Sequence, residues 1–191
     1  LLAGADGFVL EVFLCWPSPP GVETTVMAHI KRKAFEAGHQ PKLLVIIDGK
    51  PESSRSIRYA ARRASRTGAS LMMLAVTGES DFNHWLGVGD VMRSEAAEMA
   101  GQHLARAMAS VQALTAVEIE TLVVEGVMSE QILALIHRDE DISSLILAAG
   151  TDAEGPGPLV SLLAGKAAGH FPIPIVIVPG HLDDQAIDAL S

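Results

Sequence analysis

The residue types that could do chemistry stand at two places where an apolar run stops. Leu43-Leu44-Val45-Ile46-Ile47 ends in Asp48-Gly49, and Ser144 to Ala149 runs into Gly150. A glycine-rich loop follows: Thr151-Asp152-Ala153-Glu154-Gly155-Pro156-Gly157-Pro158, with Gly165-Lys166 further on. Glycines let backbone N–H groups approach an anion, and a helix N-terminus after such a loop favours negative charge. Lys166 would add a cation. This chemistry is the holding of an anion rather than the breaking of a bond. Taken alone, the loop also reads as an ordinary strand-to-helix turn.

Other constellations are weaker. The histidines at 29, 39, 84, 103, 137, 170 and 181 include no pair three or four apart, so no helical metal pair exists. The serines at 53, 54, 56, 143, 144 and 161 form no G-x-S-x-G elbow. Ser53 and Ser54 read instead as caps of a helix. Phe82, His84 and Trp85 form a flap over the strand ends or a plug beside the sheet. Cys15 is the sole cysteine, which excludes an internal disulfide and a cysteine zinc cluster. No catalytic residue and no metal ligand is assigned.

The elements that must position Asp48 and the loop follow from patterning. The chain has 191 residues, 49% of them hydrophobic and 19% charged, enough for one domain with a sizeable aliphatic core. No apolar run is long enough to span a membrane. The net charge of −9 disfavours nucleic acid. It is unevenly spread: residues 1–66 carry 10 Lys/Arg against 6 Asp/Glu, and residues 67–191 carry 4 against 17. A basic front on an acidic body suggests self-association or an anionic ligand near the front.

Strands are expected at 43–47, 70–77, 117–124, 144–149 and 173–178, the last bracketed by Pro172 and Pro179. Helices are expected at 51–67, 88–114, 129–138 and 159–170, with a weak point at Gly165. In the first helix Ile57, Ala60, Ala61 and Ala64 face inward, and Arg55, Arg58, Arg62 and Arg66 form a stripe on the other side. In the second, Val88, Met92, Ala96, Met99, Leu104, Met108 and Val111 keep near-helical spacing. In the third, Ile132, Leu133 and Ile136 point inward. This alternation predicts an α/β fold, a doubly wound parallel sheet with helices on both faces. Residues 1–41 read as an N-terminal extension, with 22–37 a possible helix, and 181–191 as an acidic tail. The first methionine is Met27, so 1–26 are treated as upstream sequence or a loose extension.

Three features together resemble the universal stress protein family. They are Asp48-Gly49 followed by an Ala- and Arg-rich helix, the glycine loop, and the closing segment Phe171-Pro172-Ile173-Pro174-Ile175-Val176-Ile177-Val178. The resemblance covers about residues 42–180 and implies a Rossmann-like five-stranded sheet in the order 3-2-1-4-5. It implies ATP binding in some members, where strand order reverses. Asp48 and Gly49 would meet the sugar or base, backbone at Ala75 and Val76 would meet adenine, and Gly150, Gly155, Gly157, Gly165 and Lys166 would hold the phosphates.

The family loop reads Gly, two residues, Gly, nine residues, Gly-Ser/Thr. Here nine residues separate Gly155 from Gly165, but Asp152 stands where the first Gly is expected and Lys166 replaces the Ser/Thr. Asp152 and Glu154 would repel a triphosphate by roughly 1 kcal/mol each if solvated. Lys166 offsets one of them, or Mg²⁺ held by Asp152 or Glu154 reverses the objection. The leading expectation is a stress-response, ATP-binding regulatory protein with slow or no hydrolysis, cytoplasmic, and touching no membrane. The alternative is a homodimeric interaction module of the same family that binds no nucleotide, with the arginine stripe as docking face. A dimer is expected through the edge strand 173–178, unless the acidic tail folds over that edge. A protein partner stays unidentified.

Overall fold

The computed structural model describes residues 31–78, 88–151, 155–165 and 168–191. Five parallel strands form one sheet: β1 (Lys42–Ile46), β2 (Ser70–Thr77), β3 (Ile119–Glu125), β4 (Ile142–Ala149) and β5 (Ile175–Pro179). Their order is β3-β2-β1-β4-β5, as the sequence resemblance implied. The connecting helices are α1 (Ser53–Thr67), α2 (Val88–Gln112), α3 (Met128–Arg138) and α4 (Pro158–Ala164); α5 (Asp184–Leu190) follows the last strand.

Right-handed crossovers put α1 and α2 on one face and α3 and α4 on the other. Alternate residues of β1 serve the two cores. Leu43 and Val45 join Ala60, Ala61, Ala64, Leu104 and Val111, whereas Leu44 and Ile46 join Ile132, Ile136, Leu145 and Leu163. Burial on both faces is why β1 reads as an unbroken apolar run.

The structure corrects several sequence expectations. In α2 the inward residues are Leu104, Ala107 and Val111, while Met92 and Met99 are exposed. The methionine spacing is helical but marks the wrong face. In α3 Leu135 is buried, and Leu133 only half so. The helix expected at 159–170 stops at Ala164, beside Gly165, and a single 3₁₀ turn follows at Ala168–His170. β5 starts at Ile175 rather than Ile173, because Pro174 has no N–H to give the ladder. Residues 31–40 form turns; the rest of the expected 22–37 helix, with Cys15 and Met27, lies outside the described residues.

The arginine stripe is occupied by the chain's own tail. Arg55 meets Asp184 at 3.0 Å, Arg58 meets Asp184 at 3.0 Å and Asp188 at 2.6 Å, and Arg62 meets Asp188 at 3.1 Å. Arg66 donates to the Asp188 carbonyl at 2.7 Å. Ile187 is fully buried beneath these pairs. The tail therefore lies along α1, and the stripe is no free docking face.

The hydrogen bond from Arg58 is the largest influence on the Asp188 carboxyl, and with the bond from Arg62 it holds that carboxyl below its usual value against the opposing cost of desolvation. A carboxyl lowered in the folded state stabilises docking above the unfolded value and loses that contribution as pH falls through the folded one. Hydrogen exchange of the α5 amides is expected to quicken in Asp188→Asn at neutral pH, with the β1 and β4 amides unchanged. An α5 protected equally in both proteins refutes this clamp.

Candidate functional site

The registers bring the sequence-chosen residues to one edge. Ile46 lies opposite Leu74, and Val45 opposite Ile146. Continued along the strands, these registers set Asp48 level with Val76 on one side and Ala149 on the other. Strand order reverses between β1 and β4, the place beyond the carboxyl ends where sheets of this class form a ligand crevice. Ala75 is buried and Val76 half-buried, which leaves mainly their backbone to a ligand.

Asp48 is partly committed to the turn it begins. Its Oδ1 accepts from the backbone N–H of Lys50 at 3.1 Å and, in a short contact, from the hydroxyl of Ser53. Its Oδ2 lies 3.9 Å from Lys50 Nζ. Ser54 donates to the Pro51 carbonyl at 2.8 Å. The serines thus donate to the turn rather than cap the helix; Glu52 stands at the N-cap and makes no side-chain cap bond. Asp48 braces the start of α1 through Oδ1, and its Oδ2 takes no hydrogen bond among the described residues.

Gly49 has φ +73°, and the His103 ring of α2 occupies the place where a Cβ would stand. His103 so closes the α2 side of the edge. On the β4 side, Gly150 N–H donates to the Pro156 carbonyl at 3.2 Å, closing the loop on itself. Gly155 and Gly157 adopt φ +95° and +96°. They lead into α4, which has seven residues and Pro158 at its start. So short a helix, lacking that N–H, adds little dipole for an anion. Gly165 follows the end of α4, roughly 12 Å from Gly157 by helical rise. The loop carboxylates Asp152 and Glu154, the cation Lys166, and the Phe82, His84 and Trp85 segment lie outside the described residues.

A residue that the sequence reading passed over stands in the crevice. A Cβ on Gly150 would lie 3.3 Å from Glu52 Oε1, and one on Gly180 would lie 3.5 Å from Glu52 Cβ. The Glu52 carboxylate therefore lies against the first loop glycine, between the ends of β4 and β5. The signal was present: a carboxylate four residues after Asp48, at the start of the same helix. Among the described residues no group of three or more potential ligands is arranged for a metal ion. Two clefts of about 260 Å³ lie elsewhere, one beside Arg32, Phe35 and Pro172, the other beside Leu163, Ile175 and Ile177.

A family model described as the universal stress protein family matches residues 41–179. No curated protein matches the chain. Among solved structures, the universal stress protein UspA from Lactobacillus plantarum is 19% identical with a TM-score of 0.53, over 72% of this chain and 97% of that one. A universal stress protein family member from Burkholderia pseudomallei is 18% identical with a TM-score of 0.56, over 72% and 95%. A universal stress protein in complex with cAMP is 20% identical with a TM-score of 0.50, over 72% and 96%.

Gly49→Ala is expected to cost about 2 kcal/mol, from left-handed backbone at a Cβ-bearing residue and from the clash with the ring. Adding His103→Ala should restore only the steric part. Urea melts of the single and double variants measure this, and an unchanged midpoint for Gly49→Ala refutes the close approach.

Proposed function

The chain belongs to the universal stress protein family, and on that premise we propose that it is a regulatory protein holding an adenine nucleotide in the crevice between β1 and β4. One observation carries the reading: Asp48, the Ala75–Val76 backbone and the Gly150, Gly155 and Gly157 loop share one edge at the reversal of strand order. The related structure with cAMP supports an adenylate as ligand. The adenosine half of a nucleotide fits this edge. Adenine lies along the end of β2, and Asp48 Oδ2 accepts from a sugar hydroxyl. Gly165 and Lys166 complete the phosphate end in this reading.

The triphosphate half fits less well, because Asp48 and Glu52 are both acidic and α4 is short. ATP is therefore proposed as its magnesium complex, bound with slow or no hydrolysis. The domain spans 42–180, flanked by the 1–41 extension and the 181–191 tail, and it acts in the cytoplasm in response to stress. No helix among the described residues is long and apolar enough to cross a membrane.

A homodimer through the β5 edge is part of the proposal. The Leu145 N–H donates to the Pro174 carbonyl, which sets the ladder phase. In a parallel pair that phase turns the N–H and C=O of Ile175 and Ile177 outward, away from β4. The tail lies along α1 rather than continuing the sheet, so this edge is a template for a twin strand. The contrasting reading, an interaction module that binds no nucleotide, is favoured by the acidic crevice alone.

Calorimetric titration with Mg-ATP and with cAMP tests the nucleotide reading. Micromolar binding is expected, weakened about tenfold in Asp48→Asn, or roughly 1.4 kcal/mol. A flat titration to millimolar ligand makes the crevice structural. Separately, Ile177→Pro removes an outward N–H without touching the β4 ladder, and light scattering should then report a monomer. A dimer of unchanged mass places the interface elsewhere.

A further inference from the structure

We infer that Glu52 makes the crevice select adenine ligands by charge, admitting a nucleoside or a singly charged phosphate ester ahead of free di- and triphosphates. This rests on the nucleotide reading above and names the ligand class within it.

The argument begins with position. The Glu52 carboxylate lies against Gly150, the first glycine of the loop proposed to cradle phosphate. The carbonyl of Gly155 points to the same spot, since a Cβ on Gly150 would also come within 3.3 Å of it. Beside Gly150, then, stand a carboxylate and a carbonyl, both acceptors, where phosphate oxygens would need donors. The Gly150 N–H is already given to Pro156. Among the described residues, the Glu52 side chain makes no hydrogen bond or ion pair that would neutralise it. Lys50, a cation at this edge, lies 3.9 Å from Asp48 and is half exposed.

Such a group discriminates by charge and by hydrogen-bonding role. A sugar hydroxyl donates to a carboxylate, as the acidic residue of dinucleotide folds accepts from ribose. A phosphate oxygen cannot donate when ionised, and each added negative charge near Glu52 raises the repulsion. Gly180 stands beside it: a Cβ there would clash with the Ala149 carbonyl and crowd Thr151, while meeting Glu52 Cβ only at ordinary contact distance. The missing side chain at Gly150 leaves the Glu52 carboxylate its place against the loop.

The test is competition binding by the full chain, with adenosine, cAMP and ATP, all in EDTA at low salt. The wild type should bind adenosine and cAMP at least tenfold more tightly than ATP. Glu52→Gln keeps the shape and removes the charge; it should tighten ATP about tenfold and leave adenosine within threefold. Glu52→Lys should place ATP first. High salt should shrink the wild-type gap. ATP bound as tightly as adenosine by the wild type, or an equal gap in Glu52→Gln, overturns the role of Glu52 and leaves the nucleotide reading standing. If neither wild type nor variants bind any adenine ligand, the nucleotide reading itself falls and this inference with it.

Discussion

The reversal of strand order between β1 and β4 is the constraint on which the rest depends. β1 sends its chain onto the face of α1 and α2, while β4 sends its chain onto the face of α4. Two neighbouring strands thus release their chains in opposite directions, and no connection crosses the gap between them. Whatever lines that gap must come from the first residues after each strand. In this chain those are Asp48 to Glu52 on one side and Gly150 to Gly157 on the other, with Gly180 closing behind β5. The sheet order therefore selects the candidate site before any side chain is considered.

Within that gap the carboxylates have divided duties. Asp48 gives one oxygen to Lys50 N–H and Ser53, which fixes the turn into α1. Because that turn is fixed, Glu52 falls at the start of the helix and its side chain reaches over Gly150. A negative group there also faces the positive end of the α1 dipole, which eases its burial near other acceptors. Fold and site are thus coupled through four residues. The brace that starts the helix sets the place of the carboxylate that guards the crevice.

Much of the fold was legible because it follows from one-dimensional patterns. Strands buried on both faces leave unbroken apolar runs, so β1, β2 and β4 stood out, whereas Gly165 read as a weak point in a longer helix although α4 stops just before it. The inner face of α1 was read correctly since its Ala and Arg stripes contrast sharply. α2 was misread because its two halves obey the same period, and only contact with the sheet shows that Leu104 and Val111, not Met92 and Met99, are covered. Asp48 and the loop glycines were legible as chemistry at strand ends. Glu52 and His103 were not. Glu52 looks like any acidic residue at a helix start, and His103 reaches Gly49 from more than fifty positions away. A contact that depends on the absence of a Cβ has no periodic signature.

The charge asymmetry of the sequence finds its explanation in α1. The arginines that make the front of the chain basic lie on the outer side of that helix, and the aspartates of α5 settle on them. α5 runs beside α1 in the same direction, with Asp184 near Arg55 and Asp188 near Arg62. Parallel helix dipoles repel weakly, so apolar burial of Ile187 alone gives little reason for this direction. The interleaved Arg and Asp pairs supply it, because reversing α5 would move Asp184 away from Arg55. The family match ends at residue 179, and α5 lies just past it. The tail thus lies past the matched residues and follows the charge pattern of one helix, and Glu52 stands at that helix's N-cap. α1 is the element through which core, tail and candidate site are mechanically joined.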